Sequence, residues 1–167
     1  MLEGAHLHLL VNHAPIFGSL FALVLLVASF YFAPDVLRRT ALVVLVGTAL
    51  AGAVAKFSGE AAEDAIRGFP GVTRQAIHVH EESADVAFIA AGIVGVLALG
   101  ALIRWRRAPI PRGATVVALI ATAFVAGSLV YTGLLGGRVR HTEVRPGAKG
   151  SDAMIVEPPR QRRPAPP

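Results

Sequence analysis

An all-α, integral membrane four-helix bundle with up-down-up-down topology is the fold class this sequence predicts, and three observations predict it. Four apolar runs, at about residues 14–32, 40–57, 86–103 and 114–136, reach or approach the roughly 20 helical residues that cross a hydrocarbon core. Within them Lys56 is the single charged side chain. The first run joins the second, and the third the fourth, through short connections, and short connections make consecutive helices antiparallel neighbours. A hydrophobic content of 54% and a mean hydropathy of +0.59 over 167 residues agree with this class and disagree with a soluble domain.

The elements follow in chain order. The N-terminus lacks the basic stretch of a secretory leader, so the first span is expected to stay in the protein. Ahead of it, Asn12 is a candidate helix cap and Pro15 fits a first helical turn, where its missing N–H costs nothing. A helix beginning near His6 and kinked at Pro15 is the alternative. The first span ends at Pro34-Asp35, and the connection carries Arg38 and Arg39. Past Phe57 the second helix is predicted to leave the bilayer with Lys56, Glu60, Glu63, Asp64 and Arg67 on one polar face, stopping at Gly68 before Pro70. Thr73 is the predicted N-cap of a third helix that runs to Trp105, again longer than the bilayer. Pro109 and Pro111 then separate it from the fourth. Residues 1–143 form the membrane domain, and the Pro/Arg-rich tail at 144–167 is expected to be disordered unless a partner orders it.

Composition narrows the chemistry. Without cysteine there is no disulfide, iron–sulfur cluster or thiolate metal site. The net charge of +5 does not imply nucleic acid, because the arginines flank spans, where topology and lipid headgroups account for them. No nucleophile-elbow or Ser-His-Asp pattern points to a hydrolase, and no charge at mid-membrane depth points to a transporter.

The six histidines carry the functional reading. With an even number of spans, His6, His8, His13, His78, His80 and His141 all fall on one membrane face. On a helical projection His78, Glu81, Glu82 and Asp85 share the polar side, whereas His80 sits on the apolar stripe with Ile77, Ala84 and Ala91. A histidine on the packing face is the first to suspect of binding something, and ionisable groups at membrane helices are functional candidates by default. Each span contributes a candidate ligand near the same end. His13, His80, His141, Glu60 and Glu63 are the predicted metal ligands, and Glu81, Asn12, His6 and His8 the residues expected to orient them. Imidazole with carboxylate suits Zn, Fe, Cu or Mn, while two axial imidazoles, with Arg138 and Arg140 for the propionates, would suit b-type haem. The location of the histidines at the mouth, not mid-bundle, favours a metal in a carboxylate-rich site.

The segments His6-Leu7-His8 with Asn12-His13-Ala14-Pro15, Ser58-Gly59-Glu60-Ala61-Ala62-Glu63, Pro70-Gly71-Val72 with His80-Glu81, and Gly136-Gly137-Arg138-Val139-Arg140-His141 resemble a family of small bacterial four-helix membrane proteins of unknown function. The resemblance reaches Glu143, implies the same bundle and points to the same residues, with Ser58 where the family pattern has Thr. It implies no activity. The two expected functions are therefore a redox-related metal or haem protein, and a non-catalytic accessory subunit of a larger respiratory or photosynthetic complex, contacting other membrane subunits through its tail.

The arginine asymmetry predicts a bacterial inner-membrane protein with both termini and the central loop in the periplasm, since Arg38, Arg39, Arg104, Arg106, Arg107 and Arg112 mark the cytoplasmic side. Because the chain has no cysteine, Ala148→Cys is expected to react with an impermeant maleimide in intact spheroplasts. Labelling only after lysis would invert the orientation.

Overall fold

The computed structural model describes residues 2–147; the tail from 148 onward, expected to be disordered, lies outside the described residues. Five α-helices, α1 (Leu2–Val11), α2 (Ala14–Ala28), α3 (Pro34–Ile66), α4 (Arg74–Arg104) and α5 (Arg112–Arg140), are followed by a 3-10 turn at Thr142–Val144. With α1 and α2 continuous in direction as Glu3–Ala28, four helical segments are long and apolar enough to cross a membrane. The expected all-α four-helix bundle is what forms. Around the bundle the order is α1/α2, α3, α4, α5, closing through α2 on α5, so α1/α2 and α4 occupy diagonal corners.

The first span is interrupted, not capped. Pro15 has no N–H to offer the carbonyl of Val11, and its ring crowds that carbonyl, so the helix breaks at Asn12–His13. Asn12 does not cap α2: His13 holds the cap position without a side-chain bond, and the Asn12 Oδ1 is buried without a partner. The α3 helix starts earlier than expected. Ala33 turns the chain with a φ of 31°, Pro34 opens the helix at a position where proline fits, and Arg38 and Arg39 lie inside its first turns instead of in the connection. At the other end, Gly68 takes a φ of +88°, which glycine tolerates, and stops the helix where the sequence predicts. Thr73 caps α4 as expected, its hydroxyl accepting from the Ala76 N–H at 3.2 Å.

With 33 and 31 residues, α3 and α4 are about 50 and 46 Å long at roughly 1.5 Å per residue, well over a hydrocarbon core of about 30 Å. Both therefore project from it, and they do so on the histidine-bearing side.

At the opposite end the two hairpins are locked together. The Asp35 carboxylate accepts from Arg39 Nε at 2.7 Å and from the Ile110 N–H at 2.9 Å. Arg39 also donates to the carbonyls of Trp105 and Ala108, and Arg38 to that of Ile110. One acid and two guanidiniums of α3 thus satisfy the backbone of the α4–α5 connection.

Between the helices the packing is by small residues. Ala22, Ala41, Ala87, Ala91, Ala98 and Ala126 are buried, while Phe17, Leu50, Val96, Ile120 and Phe124 point outward. This inverts the soluble pattern and suits lipid, where close backbone approach replaces hydrophobic exclusion as the source of helix association. Gly18 faces Thr48 and Gly133 faces the Ile16 side chain, but the tightest approach is at Gly95, whose missing side chain leaves room for Ala49 on α3. Gly95→Val is expected to destabilise the bundle by about 1–3 kcal/mol through overpacking, measured by denaturation in detergent. Gly92→Val, in open space on the same helix, is the control expected to change little.

Candidate functional site at the bundle mouth

The polar residues of the four helices meet in one layer. Counted from the arginine-bearing end at about 1.5 Å per residue, His8, Lys56, His80 and Thr132 all lie roughly 30–36 Å away, the far boundary of the hydrocarbon core.

His80 belongs to α4 and lies half-buried against α5, as its place on the apolar stripe predicts. Its Nδ1–H donates to the Thr132 carbonyl at 3.1 Å, and its ring rests on Gly136, where an added Cβ would come within 3.0 Å of Cε1. A side chain at 136 would push the imidazole away. Thr132 grips α4 a second time: its hydroxyl donates to the Ser128 carbonyl at 2.9 Å and accepts from Ser83 at 2.7 Å.

His8 mirrors this arrangement from α1. Its Nδ1–H donates to the Ala55 carbonyl of α3 at 2.9 Å, with the Ser58 hydroxyl 3.4 Å from the same nitrogen, and the ring packs over Gly59. Ser58 is itself spent on the Val54 carbonyl at 2.7 Å. His8 and Lys56 are both close enough to His80 to act on it electrostatically. Lys56, on the polar face of α3 that the sequence predicts, forms an ion pair with Asp85 and so links α3 to α4. The carboxyl groups of Glu63 and Glu81 come within hydrogen-bonding reach of each other just outside this layer.

A carbonyl accepts only, so the proton of each imidazole is fixed on Nδ1 and the lone pair on Nε2. The two imidazoles, on diagonal corners, are each oriented through Nδ1 by a backbone carbonyl of a neighbouring helix, the arrangement that metal-ligating histidines adopt.

The remaining predicted ligands are placed differently. Among the described residues no three His, Asp or Glu side chains come together to hold a metal ion, so the five-residue convergence expected from the sequence does not form. His13 is exposed at the helix break, because the helix starts at Leu2 and carries His8, not His13, into the layer. His141 is exposed past the end of α5 and binds Glu143 at 2.8 Å. The Glu143 backbone N–H and this imidazole hold the Glu143 carboxyl below the usual carboxylate range. Glu60 and His6 are exposed, and Glu63 bonds Arg67 at 2.9 Å. Arg140 stacks on Phe69 and Arg138 lines an outer groove with Thr73 and Val79, so Lys56, not either arginine, is the cation beside the imidazoles. The expected solvation of His78 holds, with Glu82 one turn away.

The sequence did hold a signal for His8. Going back from α2, the inward residues Ser29, Leu26, Ala22, Ser19 and Pro15 recur every three or four positions, and the same repeat extended passes Asn12 and His8 to the buried Ala5. His13 is out of phase with it.

No family model, curated protein or solved structure matches the chain. The geometry of the mouth is therefore the basis for any functional reading.

This geometry predicts an order of chemical reactivity. Treated with diethyl pyrocarbonate in mild detergent and mapped by peptide mass, His6, His13, His78 and His141 are expected to be carbethoxylated several-fold faster than His80. Equal rates would mean that the His80 ring is not packed between α4 and α5.

Proposed function

We propose that the bundle mouth is a transition-metal centre of a membrane protein, with Nε2 of His8 and Nε2 of His80 as its nitrogen ligands and a redox role. The observation that carries this reading is that both imidazoles are held at Nδ1 by backbone carbonyls, with no hydrogen bond to either Nε2 among the described residues.

The donor set favours haem iron over a bare ion. A bare Zn, Cu, Fe or Mn ion would need further ligands, and the pair Glu63–Glu81 and the salt-bridged Asp85 would have to rearrange to supply them. A nearby ammonium also opposes an added cation. Haem iron brings four nitrogens of its own, so the two imidazoles would complete its ligand set, and Lys56 near His80 would meet a propionate by leaving Asp85. At the mouth α1 packs on α3, while it is α2 that meets α5. Bound at the mouth, haem would be held by His8 and His80, each oriented by a backbone carbonyl, and would supply one-electron transfer. The same reading carries the sequence-based orientation, a bacterial inner membrane with the mouth and both termini toward the periplasm.

Purified from its own membranes in mild detergent, the protein is expected to show a Soret band, or stoichiometric bound metal by elemental analysis if the centre is a bare ion. His8→Ala and His80→Ala should each abolish it, whereas His13→Ala and His141→Ala should leave it. A colourless, metal-free protein that takes up neither added haemin nor Cu(II) would sink the proposal. Co-purification of such a protein with larger subunits would establish the accessory role in its place.

A further inference from the structure

Away from the mouth, in the half of the bundle nearest the arginine-bearing connections, lies a cavity of about 250 Å³ between α3, α4 and α5. Its walls are apolar, formed by Leu42, Leu45, Val94, Ala98, Ala101 and Ala118. Leu97 and Val117, which also line it, are 62% and 66% exposed, so the cavity opens sideways between α4 and α5 onto the surface that faces hydrocarbon. Arg38 lines it too, on the loop side with Trp105 and Ile110. The Arg38 Nη1 donates to the Ile110 carbonyl at 2.8 Å, but its Nε–H is buried and has no acceptor. The neighbouring acid does not supply one, because Asp35 is already bonded to Arg39 and to the Ile110 N–H.

A buried N–H of a charged group left unpaired is destabilising, and native structures rarely leave one so. Its depth identifies the missing partner. Arg38 sits in the second turn of α3, at the level of the connections where lipid headgroups lie, and the slot runs from there toward the bilayer interior. Its apolar walls and its opening onto the hydrocarbon surface suit one flexible chain that lies partly in the slot and partly in the bilayer. Arg104 and Arg112 flank the same end and attract negative headgroups.

From these observations we infer that the cavity is a lipid site, holding one acyl chain of an anionic lipid whose phosphate or carboxylate oxygen accepts from Arg38 Nε. The site is independent of the metal centre at the opposite end. Native mass spectrometry of the protein released from detergent tests it. The wild type is expected to retain one anionic lipid, its mass separating a phospholipid from a free fatty acid. Arg38→Gln should weaken retention about tenfold, as loss of a charge-assisted bond does, and Ala118→Leu should remove the lipid by filling the slot while leaving Arg38 in place. Arg106→Gln, an exposed arginine outside the cavity, should retain it. A wild type that carries no lipid or only neutral lipid overturns the inference, as does retention that is unchanged in Ala118→Leu or equally reduced in Arg106→Gln.

Discussion

The bidentate use of Asp35 sets the register on which the rest of the bundle depends. Its two oxygens hold Arg39 of the same helix and the Ile110 N–H of the α4–α5 connection, joining the two hairpins at the end opposite the Lys56–Asp85 pair. In lipid, apolar faces slide past one another with little energetic preference, and a polar contact of this kind is what can fix how far along each helix its neighbour lies. Once that end is aligned, equal rise per residue brings His8, Ser58, His80 and Thr132 to one level on the other side of the membrane. The clamp and the mouth are thus coupled through helix length. Losing a single turn from any one span would take its polar residue out of the layer.

Within that layer the backbone does much of the binding. Both interior histidines use carbonyls on a neighbouring helix, Ala55 and Thr132, in place of side-chain partners. Those carbonyls are reachable because Ser58 and Gly59 on α3, and Gly136 on α5, leave the backbone thinly covered. A carbonyl cannot titrate, so the orientation it imposes persists at any pH at which the imidazole is neutral.

Much of the fold was legible in the sequence because its determinants are local. Hydropathy marked the spans, Gly68 and Thr73 marked the ends of α3 and α4, and the apolar stripe through Ile77 and Ala91 placed His80 inward. The candidate site was legible only in part, since it depends on helix phase across a break. Reading α2 from Pro15 alone made His13 the entrance residue; the continuous repeat back to Ala5 makes it His8. The reach of Lys56 to Asp85, and of Arg39 to Trp105, could not be read from spacing within one helix, because in both cases the partner comes from another. His141 was assigned to the site from its proximity in topology, but α5 ends at Arg140 and the chain turns, leaving that ring to pair with Glu143.

The interruption at Asn12–His13 also gives the molecule uneven rigidity. Pro15 removes a backbone hydrogen bond there, the Asn12 side-chain oxygen is without a donor, and α1 beyond it leans on α3 while it is α2 that packs on α5. The connections at the other end are secured by four guanidinium bonds and one carboxylate. Because α1 packs chiefly on α3, residues 12 and 13 are the hinge about which it would move relative to α2. One imidazole of the pair therefore rides on the far side of that hinge, while its counterpart sits in an unbroken helix.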